Sequence, residues 1–76
     1  MADFTPDERR HFSQRLRELM NRKGWSQKQL SDASGINAGD ISDYLAAKKM
    51  PLYPNMARLA DVFGETVEQL TMGQPP

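Results

Sequence analysis

The chain has 76 residues, with ten basic and ten acidic side chains, one histidine and no cysteine. That size suits one small domain, which buries only about 60% of the surface its unfolded chain exposes and so needs well-capped helix ends; disulfides, thiolate metal sites and a histidine-rich metal site are excluded. No apolar run approaches the roughly 20 residues of a membrane span and no signal peptide is visible, so a soluble cytoplasmic protein is expected.

"TPDERRHFSQRLRELMNRKG" opens with Thr5 as N-cap, Pro6 as the first helical residue and Glu8 completing a capping box. Phe12, Leu16, Leu19 and Met20 recur at helical spacing. Gly24 is the stop, and Arg22 and Lys23 suit the negative end of the helix dipole. A second, shorter helix begins at Ser26, with Gln29 in the capping-box position and Leu30 and Ala33 expected inside; Gly35 ends it. The third starts from Asn37, carries Asp40 in its first turn, and has Ile41, Tyr44 and Leu45 as its apolar edge. Gly39 weakens that helix by roughly 0.8–1 kcal/mol relative to alanine, so something should compensate for it or use it.

A loop around Pro51 leads to a fourth helix expected from Pro54, with Met56, Leu59, Ala60 and Phe63 on one face and Gly64 as its stop. A last short helix has Thr66 as cap, Gln69 as its box partner, and Val67 and Leu70 as apolar residues. No segment alternates as a strand, so the fold class is all-α: a compact bundle of five helices in one domain over 1–76, with 73–76 a flexible tail or the start of a linker.

The second and third helices meet across Gly35-Ile36, which is the helix-turn-helix arrangement. Such a unit needs an inner apolar residue (Leu30), a small residue at the crossing (Ser31), a turn tolerant of positive φ (Gly35), and apolar side chains filling the angle (Ile36, Ile41 and Tyr44). All stand in the required order, in a motif of about residues 27–46.

At this point the chain resembles the lambda-repressor-like family, the Cro and XRE type of DNA-binding domain. "SQKQLSDASGI" is similar to that family's first motif helix and turn, "NAGDISDYLAAKK" to its recognition helix, and "MARLADVFGETVEQL" to its fourth and fifth helices. The resemblance covers nearly the whole chain. It implies a sequence-specific transcriptional regulator, often a phage or plasmid repressor and often a dimer on a palindromic operator, working in the cytoplasm of a bacterial or phage-infected cell.

Carried over by position, Asn37, Ala38, Gly39, Ser42 and Asp43 stand nearest the bases in the major groove. Gln27, Lys28, Lys48 and Lys49 fall to the phosphates, with Arg9, Arg10 and Arg15 as further cations. The C-terminal part usually pairs, which nominates Tyr53, Val67, Leu70 and Met72 for a dimer interface.

Departures from the family pattern matter as much. Ser31 replaces the commoner alanine, harmless if its hydroxyl bonds back to the preceding turn. Ser34 stands where an apolar residue is usual and underfills the angle. Met20 and Leu45 occupy positions where many relatives have a buried Arg–Glu pair, and they are expected to touch. Most telling, the reading face offers two carboxylates to a polyanion and only Asn37 among the usual base readers.

Ala38 could meet a thymine methyl, Asp43 could accept from a cytosine amino group, or DNA shape could carry part of the specificity. Equally, Asp43, Lys48 and Lys49 could be solvated charges, and the chain could be a protein-interaction module that keeps the fold with little DNA binding. The overall charge balance of zero favours that alternative; the paired Lys48-Lys49 speaks against it. The balance is uneven along the chain: six basic against four acidic residues up to Trp25, and one against three from Pro51. Trp25 reads as core or hinge and His11 as inert. No nucleophile, base and orienting group stand in pattern, so neither enzymatic activity nor a cofactor is expected.

Overall fold

The structure, a computed structural model, describes residues 4–72, with only the backbone of Met72. Five helices follow in order: α1 (Pro6–Lys23), α2 (Gln27–Ser34), α3 (Ala38–Leu45), α4 (Tyr53–Phe63) and α5 (Val67–Met72). No strand occurs among the described residues. The 73–76 tail lies outside them.

Local chemistry sets the helix starts. Thr5 and Ser26 each accept from the third backbone N–H of their helix, while Glu8 and Gln29 return the bond to the cap's own N–H. Thr66 and Gln69 form the same reciprocal pair before α5. Asn37 caps α3 through Oδ1 to the Asp40 N–H at 3.1 Å. α4 starts at Tyr53, one residue before the expected Pro54. Pro54 then sits in the first turn, where its missing N–H costs no helical bond. Its capping residue is Leu52, which makes no side-chain cap bond.

Phe12 and Leu16 from α1, Leu30 from α2, Ile41 from α3, Leu59 from α4 and Leu70 from α5 are completely enclosed, so every helix contributes to one core. Phe12 meets the Tyr44 ring edge-on at 6.2 Å between centroids. Trp25 is half-buried against Phe63, 5.6 Å away, which makes it part of the core margin. Met20 and Leu45 are both buried in this cluster.

The angle between α2 and α3 is filled differently from expectation. Ala33 is exposed, and Ser34, one turn on from Leu30, takes the buried position. Its hydroxyl donates to the Leu30 carbonyl at 2.7 Å and accepts from the Ile36 N–H at 3.2 Å, so a polar group is buried without loss. The Ser31 hydroxyl does not bond back to the preceding turn. It donates forward to the Ile36 carbonyl at 2.5 Å, tying the crossing to the turn.

The end of α3 is held by α1. Arg9, Ser13 and Arg17 lie one turn apart on one stripe. Ser13 Oγ donates to the Leu45 carbonyl at 2.6 Å, Arg17 Nη2 to the same carbonyl at 3.3 Å, and Arg9 Nε to the Ala47 carbonyl at 3.1 Å. These carbonyls belong to the helix terminus and its exit, where intrahelical donors run out and cations are favoured. The polar tie between α1 and α3 therefore runs through backbone oxygens of α3.

Candidate nucleic-acid interface

α3 presents two different sides. Ile41, Tyr44 and Leu45 are buried, whereas Asn37, Ala38, Gly39 and Ser42 are exposed. The exposed residues are small, so the backbone of the first turn is open to close approach. Gly39 has a use here: a Cβ at that position would stand 3.2 Å from Asn37 Oδ1, the atom that caps the helix. Its cost in helix propensity thus leaves the Asn37 cap undisturbed. That cap also means the Oδ1 of Asn37 is already engaged, leaving its amide group to face outward chemistry.

Asp40 and Asp43 do not stand as bare carboxylates. Lys49 folds back along α3 and places Nζ 2.7 Å from Asp40 Oδ1 and 3.6 Å from Asp43 Oδ2. The same ammonium lies 5.9 Å from the centre of the Tyr44 ring. The hydrogen bond to Asp40, aided by the charges of Asp40 and Asp43, raises the Lys49 pKa above the ordinary lysine value of 10.5. Through this pairing the ammonium keeps its charge through the neutral range and loses its proton, and the pair with it, only as pH climbs past the raised value.

The chain returns to α3 through a sharp reversal. Ala47 adopts a left-handed φ of 59°. Its N–H bonds to the Tyr44 carbonyl and the Lys48 N–H reaches back to the Asp43 carbonyl at 2.9 Å. This is the double closure usual where glycine ends a helix. It turns the backbone so that Lys49 lies beside the flank shared by Asp40, Asp43 and Tyr44.

The other residues nominated for phosphate contact are unequal. Gln27 opens α2 and is exposed. Lys28 is exposed and reaches Asp32 one turn on at 3.4 Å, a surface pair of small energy. Lys48 is exposed and has no ion-pair partner among the described residues. Arg9 is spent on the Phe4 and Ala47 carbonyls, and Arg10 pairs with Asp7. Arg15 is nearly buried, 2.9 Å from Glu65 and 3.5 Å from Glu18, so it fastens α1 to the turn before α5.

Among the residues nominated for pairing, Leu70 is corrected: it is 0% exposed and belongs to the chain's own core. Val67 is half-buried against that core. Tyr53 is 73% exposed and stands beside Leu52, 79% exposed, a neighbour that sequence reasoning passed over. The side chain of Met72 lies outside the described residues. Arg9, Ser13 and Arg17 were also missed as holders of α3, although their spacing of four, alongside Phe12 and Leu16, was the available signal.

Comparison with known protein families matches residues 11–71 to the family described as a helix-turn-helix domain. The chain belongs to this family. The match runs from within α1 to within α5 and so takes in the whole α2–turn–α3 unit. It bears out the helix-turn-helix resemblance and supports DNA binding as the domain's work. No curated protein and no solved structure matches. Among the described residues no helix is long and apolar enough to cross a membrane, and no group of three potential metal ligands occurs.

Proposed function

We propose that this helix-turn-helix domain is the sequence-specific DNA-reading part of a transcriptional regulator, a repressor of phage or related type, which sets α3 in the major groove as a homodimer. The observation that carries the reading is the division of α3: its apolar side seats it in the core, while Asn37, Ala38, Gly39 and Ser42 leave a small-residue surface outward. A helix with such a surface approaches base edges closely. Ala38 then meets a thymine methyl, while Asp43, paired with Lys49, stands on the flank of α3 and makes no base contact in this reading. With few direct readers, part of the specificity falls to the shape and deformability of the operator.

Gln27 and Lys28 at the start of α2, and Lys48 after α3, serve the phosphates in this reading. Lys49 is the fourth residue placed near the backbone by position, but its ammonium is engaged by α3 itself. Pairing of two copies uses Tyr53 with Leu52, together with Val67 and Met72, and sets two copies of α3 on a palindromic site.

Selection from a random duplex pool, followed by titration with salt, tests the proposal. Enrichment of a palindromic site is the expected result. No enrichment, with only weak binding that disappears near physiological salt, would sink the DNA-reading claim and favour the protein-interaction alternative.

A further inference from the structure

An acidic pair on a helix meant for the major groove needs an explanation in charge. Asp40 and Asp43 are three residues apart, and Tyr44 is four from Asp40, so the three share one flank of α3. Lys49 comes from outside the helix, beyond the Ala47 reversal, and its ammonium contacts both carboxylates and overlies the tyrosine ring. The reversal that brings it there is anchored on α1 through Arg9 and the Ala47 carbonyl. Neighbouring Lys48 points no ammonium at either carboxylate, so the two adjacent lysines are not equivalent.

Resting on the DNA-binding reading above, we infer that Lys49 is the built-in counter-ion of the reading helix: it masks Asp40 and Asp43, and DNA affinity depends on it through those carboxylates and not through a phosphate of its own. Without it, two negative charges face the DNA backbone, and like charges brought together at an interface weaken binding. With it, the flank is nearly neutral, which leaves Ala38, Gly39 and Ser42 to meet the groove. Lys49 is thus a positioning residue for the interface, and Lys48 is the lysine left to bind phosphate.

The two roles for Lys49 are separable by a mutant cycle on the duplex selected from the random pool. The variants are K49M, D40N/D43N and the triple K49M/D40N/D43N, with K49R as the charge-conserving control and Lys48→Met as the comparison. The lysines are exposed and the two carboxylates half-buried, and far-UV circular dichroism verifies that each variant folds. The expected result is that K49M weakens binding about 10-fold or more in the parent. In the D40N/D43N background the same change alters affinity less than about 2-fold, K49R binds as the parent does, and the triple variant keeps the salt slope of D40N/D43N.

An equal loss in both backgrounds, with the salt slope reduced by about one, would make Lys49 a phosphate ligand and overturn the inference while leaving DNA reading intact. No effect of K49M in either background would overturn it as well. If the parent and D40N/D43N both fail to select any duplex, the DNA-binding reading itself falls, and the counter-ion role with it.

Discussion

Ala47 is in the left-handed region without the freedom of glycine. A left-handed L-residue costs roughly 1–2 kcal/mol, part of which glycine returns through its larger unfolded-state entropy. Ala47→Gly is therefore expected to stabilise the domain by about 0.5–1 kcal/mol, seen as a midpoint rise of about 4 °C in thermal denaturation. A fall would mean that the larger unfolded-state entropy of glycine outweighs the relief of the backbone angle. Ser13 tests the other side of the same corner. Ser13→Ala removes the 2.6 Å bond to the Leu45 carbonyl and leaves that oxygen with the longer contact to Arg17. A loss of about 1–2 kcal/mol in urea titration is expected, with an unchanged m-value.

Among the elements, α3 has eight residues and depends on its ends. Asn37 caps one end by its side chain, and α1 holds the other through Ser13, Arg17 and Arg9. Asn37→Ala should cost about 1 kcal/mol through loss of the cap. Gly39→Ala should gain less than the roughly 0.8–1 kcal/mol that propensity alone allows, because the new Cβ crowds the capping oxygen. A gain equal to the full propensity difference, measured by denaturant titration, would show that the cap gives way freely. The same methyl group would also fill part of the small-residue surface, so weaker operator binding by a fully folded G39A is expected under the proposed function.

Across the whole molecule, the Arg15–Glu65 pair fastens α1 to the turn between α4 and α5. Both partners are mostly buried, so removing one leaves a charge poorly solvated. Glu65→Leu is expected to cost about 2 kcal/mol, and the double change Arg15→Met with Glu65→Leu should recover most of it. Additive losses in that cycle would rule out a coupled pair. The surface and core members of the proposed pairing set separate at this scale too. Tyr53→Ser should shift a dimer toward monomer in sedimentation, with the melting point at dilutions where both proteins are monomeric unchanged. Leu70→Ala should instead lower stability by about 2–5 kcal/mol, because it opens a cavity in the core.

Much of this protein was legible in one dimension. Thr5, Ser26, Asn37 and Thr66 announce helix starts, and Gly24, Gly35 and Gly64 announce their ends, because caps and left-handed residues act within a few positions of chain. The spacing of Leu30, Ile36, Ile41 and Tyr44 likewise foretold a buried helix-turn-helix angle. What no local pattern contained was the partner of each long side chain. Whether Arg15 is a surface cation or a buried tie, and whether Leu70 lies inside or outside, depends on contacts between segments far apart in the chain, and whether Lys49 turns to solvent or to Asp40 depends on the Ala47 reversal that Arg9 of α1 holds. Sequence periodicity assigns a residue to a helix face. Only the packing of five helices decides what that face meets, and so only tertiary structure decided that the two acids of α3 carry their own cation.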